Sequence, residues 1–294
     1  TGTGDRTIGT DAGKSLYFKQ NNGNAKIENL ASSTTQTFNV NINIDAAAQM
    51  EINPVWGYLV FNNPVINASP NPILIWGNTG SAYAGDNVYF NGDISGTAGI
   101  TINQNATVVY DVVQKTYTGP TTINSGTFLQ IKSNQTLGDV FAYGTLTVDA
   151  GVTLTITGTW TGGGTIVNNG TIVLAGSAAQ FFPGSSTTVS AMNNLTINNA
   201  SGVSLDQSIS VDGTLTLSSG RLSLGSNDLI LGASSPAIAG TLSAANMVVA
   251  DGSGQLRKVF TATGSYVFPV GDATGTPEYS PITLNFTSGT FTGA

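Results

Sequence analysis

Between about Thr37 and Val249 the chain alternates short apolar runs with small groups of Gly, Asn, Asp or Ser. Within each run every second residue is aliphatic and the residues between are mostly Thr, Ser or Asn, which is the period of a half-buried strand. The clearest stretch is Gly144 to Ile156. There Leu146, Val148, Val152, Leu154 and Ile156 fall on one side, Thr145, Thr147, Thr153 and Thr155 fall on the other, and Asp149-Ala150-Gly151 forms the corner. The pattern returns through Ile166 and Ile172, then through Leu195, Ile197, Val203, Leu205, Ile209, Val211, Leu215, Leu217, Leu222 and Leu224. Strand and corner recur about every 8 to 12 residues. This spacing predicts coils of roughly 20 residues, each of which hides its apolar face only by stacking on its neighbours.

The fold expected is therefore all-β, a right-handed parallel β-helix of about ten coils and, at about 4.8 Å per coil, roughly 50 Å long. An antiparallel β-sandwich shares the short strands and Gly-rich turns, with Asn168-Asn169-Gly170 and Ser218-Ser219-Gly220 as hairpin turns. The uniform length of the runs, without a long Greek-key connection, favours coiling. Helical signal is confined to Ala46–Glu51, too short for a stable helix. Two regions depart from the rhythm. Residues 51–90 carry Pro54, Pro64, Pro70 and Pro72 among many aromatics and predict longer loops. From residue 252 the strands become longer and more aromatic, so the division expected is a β-helix over 1–251 and a β-rich module over 252–294, a cap or the opening of a β-sandwich.

Composition narrows the chemistry. Of 294 residues 40% are hydrophobic, enough for a substantial core, and only 9% are charged, so hydroxyls and amides carry solubility. The net charge of -7 removes the electrostatic attraction on which nucleic-acid binding depends, and it disfavours anionic membranes. Cysteine and histidine are both absent, which excludes disulfides, thiolate nucleophiles, Ser-His-Asp triads and Cys- or His-based metal sites. No window is apolar for the roughly 20 residues a membrane-spanning helix needs. The start, Thr1-Gly2-Thr3-Gly4, reads as a processed or excised segment.

Several runs resemble a known family. Gly213-Thr214-Leu215-Thr216-Leu217, Gly220-Arg221-Leu222-Ser223-Leu224-Gly225, Leu229-Ile230-Leu231-Gly232, Gly264-Ser265-Tyr266-Val267-Phe268-Pro269-Val270-Gly271 and Tyr279-Ser280-Pro281-Ile282 resemble the repetitive surface proteins of Bacteroidetes exported by type IX secretion. Tyr117 to Ile131 is similar to the passenger-associated repeat of autotransporter β-helices. The resemblance covers roughly residues 117 to 286, and its Phe-Pro-Val-Gly portion is the most specific part. It implies a secreted, cell-surface, adhesin-like protein of which this chain is an internal segment, working beside neighbouring domains and the secretion machinery.

The candidate sites follow from residue chemistry. Trp56, Tyr58, Trp76, Tyr83 and Tyr89, with Trp160 as a further aromatic, could stack on sugar rings and so bind extracellular glycans; the competing reading is that they fill the wider rungs. Asp86, Asn91 and Asp93 group oxygen ligands that could hold Ca²⁺, without the strict spacing of a known loop. No other cofactor is expected. Asp139 with Asp149, and Asp206 with Asp212, are spaced so that successive coils could pair them as in glycoside hydrolases or polysaccharide lyases, but Asp in Asp-Ala-Gly or Asp-Gly is first of all a turn former. The Thr ladder that ice binding would need breaks at Gln130, Asp149 and Asn168. The sequence thus points to a non-enzymatic structural or adhesive surface element. The alternative is a β-helical carbohydrate-active enzyme or its carbohydrate-binding accessory region.

Overall fold

The computed structural model describes residues 6–9, 14–19, 24–30, 34–55, 57–77, 87–289 and 291. Among them there is no helix, and nearly all pairing between strands is parallel. The fold is a β-solenoid of about ten turns. The chain divides into two compact units, residues 1–154 and 155–294.

The first unit has three faces. One stacks Arg6–Ile8, Thr35–Phe38, Tyr58–Phe61, Asn87–Phe90, Thr107–Tyr110, Phe128–Ile131 and Thr145–Val148. A second stacks Ser15–Phe18, Asn41–Ile44, Val65–Asn67 and Ile94–Gly96. The third stacks Ala25–Glu28, Met50–Asn53, Ile73–Trp76, Ile100–Asn103, Thr121–Ile123 and Val140–Ala142. Parallel pairing in register sets like side chains one above another. On the third face Ile27, Ile52, Ile75, Ile102 and Ile123 form one buried column. On the first face Leu59, Val88, Val108, Leu129 and Leu146 form a second. A neighbouring column is aromatic: Phe38 stacks on Phe61 at 4.9 Å, Phe61 on Phe90 at 5.2 Å, and Phe90 meets Tyr110 edge-on at 6.2 Å.

The second unit follows the same plan. Thr165–Leu174, Thr188–Asn198, Leu215–Ser219 and Ala239–Gly240 form one face. Gln180–Phe182, Val203–Leu205, Leu222–Ser223, Val248–Val249 and Val270–Asp272 form another. Ile209–Val211, Leu229–Leu231 and Leu256–Lys258 form the last. Parallel rungs thus continue past residue 252. Two antiparallel pairs also lie in this region, Glu278–Tyr279 on Val270–Asp272 and Gly264–Phe268 with Ile282–Phe286.

One corner expected from sequence is not a corner. Asn168-Asn169-Gly170 lies inside the strand Thr165–Leu174, where a register shift against the next rung absorbs it. The Asn168 side chain turns inward, is wholly buried, and donates to the Asn194 carbonyl at 2.9 Å, so a polar residue occupies a core position without leaving its amide unbonded. Ala46-Ala47 is a turn, and Ala48 supplies a small buried side chain.

If aromatic stacking along the column holds these coils together, Phe61→Ala, which empties the middle of the stack, costs about 3–5 kcal/mol. Urea unfolding monitored by far-ultraviolet circular dichroism measures it. A loss under about 1 kcal/mol, the range of surface substitutions, would contradict a packed aromatic column.

Candidate functional site

A concave surface feature of the second unit is built from corners of successive rungs. Thr157-Gly158-Thr159 precedes the short strand Trp160–Thr161, and Ser177-Ala178-Ala179 precedes Gln180–Phe182. Strand alternation then decides which side chains face where. In Gln180-Phe181-Phe182 the outer two are buried, so Phe181 must face out, and it is 59% exposed. By the same rule Trp160 faces in between Thr159 and Thr161, is 1% exposed, and meets Phe182 edge-on at 5.3 Å.

These residues, with Gly184, Ser185 and Asp206, line a cleft of about 440 Å³. Volumes of this order suit a small ligand. Two buried amides fix its floor. Gln180 Nε2 donates to the carbonyls of Ile156 and Gly158, and its Oε1 accepts from the backbone of Gly176 and from Asn199 Nδ2. Asn199 Nδ2 also donates to the Ala178 carbonyl at 2.7 Å. One lip is held by close backbone approach: a Cβ on Gly184, whose φ is +98°, would sit 2.7 Å from the Gly162 carbonyl oxygen, so only glycine fits. The Gly184 amide donates to Asp206 Oδ1 at 2.9 Å, which leaves Oδ2 without a partner among the described residues. The Trp160 Nε1–H is buried and also has no acceptor. Hydroxyls of Thr157, Thr159, Thr161, Ser177 and Ser185 stand around the rim on exposed residues. Asp206 is the sole ionisable side chain of the lining.

The aromatics singled out from sequence are not gathered there. Trp56 and Tyr83 lie outside the described residues. Tyr58 and Tyr89 are half-buried on the outward side of adjacent rungs, with ring centroids 6.3 Å apart, and Asn87 Nδ2 donates to the Tyr89 hydroxyl at 3.1 Å. Trp76 lies on a different face, in a shallower groove of about 270 Å³ with Lys26, Glu51 and Asn53. In that groove Trp76 Nε1 and Asn53 Oδ1 are buried without partners. Trp160 takes the second of the two readings open from sequence: it is a core residue that packs inside its rung. Phe181 was missed, although a pair of adjacent phenylalanines in a strand always sends one outward.

Of the oxygen ligands proposed for a cation, Asp86 lies outside the described residues. Asn91 Nδ2 donates to Asn62 Oδ1 at 2.8 Å, and Asn62 Nδ2 donates to Asn39 Oδ1 at 2.8 Å, so Asn91 is the end of an amide ladder across three rungs. Both carboxylate oxygens of Asp93 are engaged by Thr116, from its backbone N–H at 2.8 Å and its hydroxyl at 2.7 Å. Among the described residues no three carboxylates group as metal ligands. Asp139, Asp149, Asp206 and Asp212 all sit at corners next to strand ends. Asp149 accepts from Gln130 Nε2, as a corner-stabilising residue would.

Asp93 also faces an unexpected group. Lys115 is 1% exposed, yet its Nζ donates to the carbonyls of Asp111 and Val113 and lies 5.6 Å from the centre of the Tyr110 ring. Burial pushes its ammonium down to about 8 against the pull of Asp93 and Asp111. Beside it the Tyr110 and Tyr117 hydroxyls share a hydrogen bond of 3.0 Å. Burial raises both, Tyr110 well above the ordinary tyrosine range and Tyr117 to about 12.

Comparison of the chain with protein-family models, curated proteins and solved structures returned no match.

The buried ammonium makes stability depend on pH. Below pH 8 Lys115 is protonated in both the folded and unfolded chain. Between about 8 and 10.5 the folded chain has released that proton and the unfolded chain still holds it, so stability rises with pH. A shift of this size is worth on the order of 3 kcal/mol by linkage. Above about pH 10 the unfolded chain ionises its tyrosines while Tyr110 and Tyr117 stay neutral in the fold, and stability falls again. Melting curves from pH 7 to 11 therefore peak near pH 10, and Lys115→Met reduces the rising limb to the smaller part contributed by Lys258, which burial also lowers. A wild-type profile flat between pH 8 and 10 would show that this ammonium is solvated.

Proposed function

We propose that the chain is a structural and adhesive segment of a secreted, cell-surface protein, with extracellular glycans as its contact. The observation that carries this reading is the contrast between its two sides. Each rung buries aliphatic or aromatic residues, while Thr, Ser and Asn dominate the outward positions and charge is sparse. Such a body is held by packing and backbone pairing, without disulfides. Its outer surface, rich in hydroxyls and amides, suits contact with polyhydroxylated material. The resemblance to repetitive surface proteins exported by type IX secretion supports the same reading. The Trp76 groove and the outward Tyr58–Tyr89 pair offer aromatic surface for such contacts.

Two measurements test it. An antibody against the chain labels intact source cells; labelling that needs lysis overturns the surface assignment. The immobilised chain retains at least one of cellulose, xylan, mannan, chitin or pectin and releases no reducing ends or unsaturated products from it. Release of either makes the chain a carbohydrate-active enzyme, and retention of none sinks the adhesive half.

A further inference from the structure

The geometry points to a ligand class for the cleft of the second unit: we propose that it binds a neutral saccharide, seated against Phe181 and excluding anionic sugars through Asp206. The proposal deepens the adhesive reading above and rests on it.

Three observations converge. Phe181 is 59% exposed on a body whose outward positions are otherwise mostly small and polar, and it borders a concave site rather than a flat face. A flat apolar ring beside hydroxyl groups is the complement of a pyranose, which has an apolar face of C–H groups and a polar edge. The rim hydroxyls of Thr161, Ser177 and Ser185 both donate and accept, as sugar hydroxyls require. Asp206 Oδ2, which the Gly184 amide does not engage, adds an acceptor at the same site.

Charge then selects the ligand. The lining holds a carboxylate and no cation, so a uronate or sulfate would bring a second negative charge beside Asp206 with nothing to offset it. Neutral hexose or pentose chains carry no such penalty. The lip and floor are already fixed, by the Gly184 and Gly162 approach and by the Gln180–Asn199 amides, so little ordering is required on binding.

The test titrates the whole chain with cello-, manno- and xylo-oligosaccharides, and with an oligogalacturonate as the anionic control, by isothermal titration calorimetry. At least one neutral oligomer is expected to bind saturably, with the oligogalacturonate binding at least about tenfold more weakly. Phe181→Ala, at an exposed position, is expected to weaken binding about tenfold or more at an unchanged melting temperature. Asp206→Asn is expected to narrow the gap between neutral and anionic oligomers. No binding by any of the three neutral series, equal affinity in Phe181→Ala, or preference for the oligogalacturonate each overturns the proposal. Saccharide binding by a chain that is not displayed on cells would leave this site standing and sink only the surface assignment.

Discussion

Parallel pairing in register puts every inward side chain over its counterpart on the previous coil, about 4.8 Å away. Whatever occupies a column must tolerate a copy of itself at that distance. Isoleucine does, and Ile27, Ile52, Ile75, Ile102 and Ile123 stack accordingly. Aromatic rings do, as Phe38, Phe61 and Phe90 demonstrate. Amides do, because each carries both a donor and an acceptor, and Asn39, Asn62 and Asn91 form such a ladder. A like charge does not, since repetition at that spacing is repulsive. The low charge of the whole chain follows from this constraint as much as from any property of its surroundings, and the aspartates Asp139, Asp149, Asp206 and Asp212 are found at corners, where the columns are interrupted.

Lys115 departs from this rule. It is a buried ammonium, whereas the strand-borne charges Lys26, Glu28 and Glu51 face outward and pair with one another, and it stays inside because two carbonyls accept from it and Asp93 and Asp111 lie near. The adjacent hydroxyls of Tyr110, Tyr117 and Thr121 continue the polar strip across the interior. The aromatic column of the first face ends in this strip: above Tyr110 stands Ile131, not another ring. Polar satisfaction replaces stacking where the column changes character.

The fold was legible because its signal is a simple period repeated many times. Alternation identified the strands, and short uniform runs favoured coiling over a sandwich. What escaped was anything that depends on how much chain a corner contains. The Asn62–Asn91 bond spans 29 residues and the Gln130–Asp149 bond 19, although both cross one coil. That variation slides corner residues past one another, so no fixed spacing brings Thr159, Phe181 and Asp206 together. Asn168 misled for a different reason: Asn-Asn-Gly has turn chemistry, but here the first amide found a buried acceptor and the strand ran on. The aromatic residues were read as one class, whereas alternation had already separated Trp160, facing in, from Phe181, facing out.

Corners are where a solenoid can acquire chemistry at little cost to its stacking, because a loop may change without disturbing the columns on either side. The cleft beside Phe181 uses that freedom: rigid rungs hold it, and a glycine contact and two buried amides shape it. Its chemistry also bears on what happens to a bound sugar. Glycoside cleavage by acid and base ordinarily requires two carboxyl groups, about 5 to 9.5 Å apart, one to protonate the leaving oxygen and one to attack or to activate water. Among the residues lining this cleft Asp206 stands alone, and one of its oxygens is already committed to the Gly184 amide. A site so equipped can orient a saccharide and discriminate against charge. Among the described residues of the lining no second carboxyl group accompanies Asp206, and the chemistry proposed for the cleft is accordingly binding.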